Sequence, residues 1–202
     1  MIKRTFYNLP AEKREKIIDI TRKEFQKGNK QKITINSVIK KAGISRGSFY
    51  QYFDDKLDLV ELITDDMTDR MAQFIQNELM LNGGDIFEIP MRIFDLMTSD
   101  RERYSDLAML TDTSNQNSAL ISDYMQYRAH HRDIIGGFER YINKSQLEYS
   151  SKDDIECIVF MMFDAIMAAM YNVTKNGSDI EHERRGLYRK IQIIKNGAVK
   201  RA

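Results

Sequence analysis

Between Ser45 and Lys56 the chain sets out Ser45, Arg46, Ser48, Tyr50, Gln51, Tyr52 and Lys56, with Gly47 set among them. These are hydrogen-bonding groups of the kind that read a nucleic-acid groove. A guanidinium such as that of Arg46 donates two hydrogen bonds to guanine O6 and N7, worth ~1–3 kcal/mol of discrimination between bases. Tyr50, Gln51 and Tyr52 reach phosphates or base edges. Gly47 has no side chain and permits close approach; a glycine inside a short helix costs about 1 kcal/mol against alanine, so its presence points to a contact. Upstream, Thr34 and Ser37 offer hydroxyls for phosphate hydrogen bonds, which position a protein on the duplex without reading its sequence.

The elements that must hold this set follow from caps and periodicity. Thr34 is a good helix N-cap, and Ile35, Val38, Ile39 and Ala42 recur at i, i+3, i+4 and i+7 before Gly43 stops the helix. Ser45 caps the next helix. Ile44 and Phe49 are spaced as a hydrophobic staple. Phe49 and Phe53 point inward at i and i+4, which leaves Arg46, Gly47, Ser48, Tyr50, Gln51 and Tyr52 for the outer face. An earlier helix opens at Leu9-Pro10, carries Ile17, Ile18, Ile20, Thr21 and Phe25 on one stripe, and ends at Gly28-Asn29. After Asp54-Asp55 a helix of about seven turns runs to Asn82-Gly83-Gly84, long enough to connect two domains.

The rest is helical and less distinctive. Helices are expected over 85–98, 100–112, 118–147 (kinked at Gly136-Gly137), 153–175 and 179–196, with a polar loop at 111–118. The chain reads as all-α, with about nine helices: a three-helix head over 1–55 and a helical regulatory and dimerisation body over 56–202. The helix over 153–175 is apolar nearly all round. Its large residues would form one side, and Ala165, Ala168, Ala169 and Asn172 a small-residue stripe on another. A helix buried on all sides in so small a domain needs a second copy of the chain, so that stripe, with Leu187, Ile191 and Ile194 of the last helix, is the candidate dimer interface. Met67, Met71, Phe74, Phe94, Met97, Tyr104, Tyr124, Tyr127, Phe163, Asp164 and Met167 are the candidate lining of a ligand pocket. The twelve methionines supply adaptable apolar surface. Asp164, a carboxylate in an apolar run, could meet a cationic ligand, or face water or an Arg.

Composition narrows the function classes. The net charge of +1 hides a basic head: residues 1–60 hold fourteen Lys/Arg against seven Asp/Glu, and the remainder is acidic. A basic head on an acidic body fits a nucleic-acid-binding module joined to a separate regulatory part. The single cysteine, Cys157, excludes a disulfide framework, fits a reducing cytosol, and reads as a buried small residue. His130 and His131 are adjacent and make no i, i+4 metal pair. No metal or cofactor is expected, and no nucleophile–base constellation supports an enzyme. The apolar run 158–170 is shorter than the roughly 18 residues of a membrane span and contains Asp164, so a cytoplasmic protein is expected.

The stretch from Thr34 to Leu59, TINSVIKKAGISRGSFYQYFDDKLDL, resembles the tetracycline-repressor (TetR) family of bacterial transcription regulators. The family pattern is a Thr-initiated helix, an Ala-Gly-(Val/Ile)-Ser turn, a Gly-(Ser/Thr)-Phe/Leu-Tyr-x-(Tyr/His)-Phe recognition helix and a Lys-x-x-Leu start to the next helix. The resemblance covers roughly residues 10–65. Tyr52, where His is frequent, and Gln51 depart from commoner members. The resemblance implies a homodimer with two helix-turn-helix heads, backbone contacts from Tyr50 and Tyr52, and a phosphate contact from Lys56. It also implies dimerisation through the last two helices and repression of a palindromic operator, relieved by a small molecule in the body. Control by a protein partner is the alternative; a helical enzyme or carrier fits less well.

Overall fold

The computed structural model describes residues 2–26, 33–99, 124, 135–175 and 177–199. Among the described residues there are eight α-helices and no strand beyond one isolated bridge between Leu147 and Val199. The helices are α1 Arg4–Tyr7, α2 Ala11–Gln26, α3 Ile35–Ala42, α4 Arg46–Tyr52, α5 Leu57–Leu81, α6 Ile89–Ser99, α7 Lys152–Lys175 and α8 Ile180–Ala198. The all-α expectation therefore holds. The expected helix over 100–112 and the polar loop after it lie outside the described residues.

The chain divides into two compact units within α5, after Asp69. In the first, α2 packs on α3, α3 on α4, and α1 on α4. Ile17, Phe25, Val38, Phe49 and Phe53 form its interior, and Phe6 of α1 joins them. Local chemistry sets the helix ends. Gly43 adopts φ 68 at the end of α3, a left-handed conformation that glycine takes without steric cost, and its N–H donates to Ile39 O. The start of α5 falls at Leu57, past the Asp54-Asp55 expected to open it. Asp55 Oδ1 accepts from the N–H of Leu57 at 2.7 Å, and the buried Asp58 accepts from the N–H of Asp54 at 2.7 Å.

In the second unit α7 and α8 lie side by side and α6 packs against both. Phe94, Ile155, Met170, Leu187 and Ile191 are central to that core. Arg184 donates twice to Asp95, at 2.6 and 2.9 Å, tying α8 to α6, and Lys195 reaches Asp85 at 2.7 Å. Tyr124 is helical, but over 135–147 the expected helix of 118–147 is replaced by two short 3-10 turns, Glu139–Tyr141 and Lys144–Gln146. The reason is a backbone contact: Asn143 N–H donates to Gly84 O at 3.0 Å. A Cβ on Gly84 would come within 2.6 Å of Asn143 N and Tyr141 O. Close packing of two backbones, absent from any helical periodicity, holds residues 141–143 out of a helix.

By length and composition α7 is apolar enough over Lys152–Thr174 to cross a membrane, a wider window than the run 158–170 on which the sequence expectation rested. One face, with Ile155, Ile158, Met162, Ile166 and Met170, is buried against its own chain. That is the behaviour of a core helix whose other face stays apolar.

Candidate nucleic-acid interface

The outer face of α4 begins at its cap. Ser45 is extended, and its Oγ accepts from the N–H of Ser48 at 3.0 Å while sharing a hydrogen bond with Ser48 Oγ at 2.9 Å. One hydroxyl proton of the pair remains for an acceptor outside. The same device starts α3. Thr34 Oγ1 accepts from the N–H of Ser37 at 3.1 Å, and Ser37 Oγ donates to Thr34 O at 2.8 Å. A phosphate oxygen only accepts, so Thr34, whose hydroxyl proton is not used in this cap, is better placed than Ser37 to meet one.

Arg46, Tyr50 and Gln51 are exposed, and Lys56 is half-buried just before α5. The Arg46 guanidinium lies 5.9 Å from the centre of the Tyr50 ring, a cation–π contact that holds it over the helix. Gly47 is exposed, and a Cβ there would meet only Ser45 Oγ at 3.7 Å, an ordinary contact. Among the described residues nothing excludes alanine at 47, so a reason for glycine there is to be sought on the outward side.

Tyr52 departs from the expected outer face. It is 7% exposed, its ring edge-on to Phe6 with centroids 6.3 Å apart and Lys13 Nζ 6.0 Å from its centroid. In a helix of seven residues Tyr52 follows Phe49 by three positions, so it shares the inner face. The sequence did not show that α1 lies there to cover it.

The second unit holds a cavity of about 90 Å³. Met71, Met97, Phe163 and Met167, four of the expected lining residues, border it. Ile75, Ile86, Ile89, Pro90, Ile93, Phe138, Val159, Met162 and Ile166 complete its described lining. On α7 these fall on the stripe already visible in the sequence; those on α6 and the segment before it had no such signal. Phe94 is fully buried and Phe74 half-buried against the core, neither bordering the cavity. Met67 is buried in the first unit. Tyr124 is half-buried and is not among the described lining residues; Tyr104 and Tyr127 lie outside the described residues. Asp164 is exposed, so the expected cation partner does not face the cavity. Every described lining side chain is apolar.

Most of the expected dimer residues are packed within their own chain. Ala165, Ala169, Leu187 and Ile191 are buried within their own chain, and Ile194 packs against the same core. Asn172 is half-buried and donates to Glu183 at 3.0 Å. Of that set only Ala168 is exposed. The exposed side of α7 instead carries Cys157, Phe160, Met161, Asp164, Ala168 and Tyr171, one stripe at i, i+3, i+4, i+7, i+11 and i+14. Cys157 is thus exposed, not buried as its type suggested.

Residues 17–63 match the family described as bacterial regulatory proteins, tetR family. A protein from Syntrophomonas wolfei assigned to the TetR-family transcriptional regulators has a similar structure, with TM-score 0.65 and 18% identity over 92% of this chain and 96% of that one. A second so assigned, from Mesorhizobium loti, gives TM-score 0.64 and 13% identity over 94% and 98%. TylP, a TetR regulator from Streptomyces fradiae, gives 0.54 and 15% over 98% and 89%. No curated protein matches the sequence. Residues 17–63 thus resemble that family, and the fold is similar to that of these regulators.

Proposed function

We propose that this TetR-family transcriptional regulator is a cytoplasmic homodimeric repressor that grips a palindromic DNA operator with two copies of α4. A small apolar molecule entering the cavity of the second unit releases it. The observation that carries the reading is the division of α4: Phe49 buried on one side, Arg46, Gly47, Tyr50 and Gln51 exposed on the other, and a serine cap at the end that enters the groove in this motif. Arg46 reads a guanine; Tyr50, Lys56 and Thr34 fix the head on phosphates.

The exposed stripe of α7 supports dimerisation. Phe160, Met161 and Tyr171 present large apolar groups to solvent, and α8 adds Tyr188 and Ile193, the latter 67% exposed. Large apolar side chains exposed at helical spacing are the material of an interaction site. A second copy burying it would set two heads on one duplex at about one turn, ~34–36 Å.

The test starts with duplexes selected from a random pool by the full protein. Arg46→Ala and Tyr50→Ala each weaken the selected duplex, with Arg46→Ala about tenfold or more, as a lost bidentate base contact demands. Equal affinity of both variants for that duplex sinks the assignment of α4. For the effector, toluene shifts the methyl resonances of Met71, Met97, Met162 and Met167 and lowers duplex affinity, whereas benzylammonium does neither. Release by the charged probe, or no release by any apolar probe, overturns the ligand reading.

Control by a protein partner is kept as a second reading on one observation: the cavity of about 90 Å³ is below the ~300–1,000 Å³ usual for ligand sites. It is also smaller than the ~150 Å³ apolar cavity that holds benzene, so toluene enters only if the lining methionines shift.

A further inference from the structure

A seven-residue helix leaves its last four carbonyls without intrahelical partners. In α4 these belong to Phe49, Tyr50, Gln51 and Tyr52. The N–H of Phe53 takes the first, at 2.9 Å. The other three are taken by the chain's first residues. Lys3 Nζ donates to Tyr50 O at 2.7 Å, Thr5 Oγ1 donates to Gln51 O, and the N–H of Lys3 donates to Tyr52 O at 2.9 Å. Behind these bonds Phe6, 1% exposed, packs on Phe53 with ring centroids 5.1 Å apart, and Ile2 is buried. Arg14 donates to Tyr7 O at 3.2 Å, fastening the other end of the segment to α2.

We propose that residues 2–7 are a clamp that positions the recognition helix, closing its C-terminal end and fixing its angle to the groove without touching DNA. Lys3 is the residue most easily mistaken for a phosphate ligand. Two of its three ammonium protons are already engaged, one on Tyr50 O and one on Asp54 at 2.7 Å. Thr5 carries no charge and its hydroxyl proton is spent on Gln51 O. The first turn of α4, which carries Arg46 and Ser48, is capped only locally, so its direction depends on what holds the opposite end.

The proposal rests on α4 being the DNA-reading helix, and the experiment has an arm that does not. In the full protein, amide hydrogen exchange at Tyr52 and Phe53 is compared between wild type, Thr5→Val, Thr5→Ser and Lys3→Met, and selected-duplex affinity is measured across a salt series. Thr5→Val is expected to speed exchange at those amides and to weaken the duplex about fivefold, the scale of one lost hydrogen bond. Thr5→Ser restores both. Lys3→Met weakens the duplex further with the salt slope unchanged. A slope lower by about one unit in Lys3→Met makes Lys3 a phosphate ligand and overturns the proposal. Faster exchange in Thr5→Val with undiminished affinity also overturns it, leaving a segment that stabilises but does not position. If wild type selects no duplex at all, the DNA reading fails, while unchanged exchange in Thr5→Val would still refute the clamp by itself.

Discussion

The two units solve the same problem, where to send polar groups and apolar faces, with different emphasis. In the first, most polar groups find partners within three or four residues: Ser45 with Ser48, Thr34 with Ser37, Asp55 with Leu57, Thr21 with Ile17 O. The clamp of residues 2–7 on α4, Arg22 with Asp66 and Lys41 with Glu24 are exceptions. In the second, local caps such as Asp85 with Phe87 and Asp179 with His182 recur, but charged pairs far apart in sequence, Arg184 with Asp95 and Lys195 with Asp85, tie its elements, and the core joins α6, α7 and α8. A surface built on short-range caps keeps its side chains in place when nothing is bound, which suits recognition of a fixed lattice of bases. A core built on long-range apolar contact with four methionines around a cavity can repack, which suits a response to a ligand.

Substitutions of graded severity test this contrast. Met161→Arg places a charge on the exposed stripe of α7; buried and unpaired between two copies it costs several kcal/mol, on the order of 3. The proposed dimer should dissociate in sedimentation experiments, and affinity for the selected duplex should fall about a hundredfold. A variant that remains dimeric at the wild-type concentration would move the interface elsewhere. Gly84→Ala is next. Its φ of 85 and the 2.6 Å approach to Tyr141 O and Asn143 N leave no room for a methyl group. A loss of about 3 kcal/mol is expected from strain and overpacking, read as faster amide exchange in the second unit with protection of α3 and α4 retained. Uniform loss across both units would show that they do not differ as described.

Gly47→Ala should act in two directions. Alanine raises stability of the head by about 1 kcal/mol through helix propensity, because no neighbour excludes it. The same methyl should weaken operator binding. A variant that is more stable and binds as well would remove the contact reason for Gly47. The smallest effect concerns Asp54. A hydrogen bond from Lys3 holds its carboxyl below the ordinary carboxylate value. The folded value is the lower one, so the contribution is present above the ordinary pKa of about 4 and is lost as pH falls through the lowered value. The melting-temperature gap between wild type and Asp54→Asn should therefore be open near neutral pH and close in acid; a gap that widens in acid contradicts the pairing.

The head was largely legible before its structure. Gly43, Ser45, Phe49 and Phe53 announce turn, cap and inner face through spacings of one to four residues. Tyr52 was misread because its cover, Phe6, lies at the other end of the chain's first sixty residues. In the body the positions of α7 and α8 were legible and their faces were not. Ala165, Ala169, Leu187 and Ile191 read as an interface between copies and proved to be interior. On a helix apolar nearly all round, hydropathy carries no record of which side meets its own chain. Asp164 drew attention as a charge among apolar residues, yet it lies exposed on the stripe beside Phe160 and Met161.

What the sequence determined by itself is everything settled within one helical turn: the starts and stops of α3 and α4, the outward set of Arg46, Gly47, Tyr50 and Gln51, and the basic character of the head. Tertiary structure alone decided that residues 2–7 close the end of α4, that Gly84 meets the backbone of 141–143, and that the outer face of α7 is Phe160 to Tyr171. The difference is one of range. A cap is a hydrogen bond between near neighbours and is written in their types. A clamp, a backbone contact or a buried face depends on which distant segments the whole chain brings together.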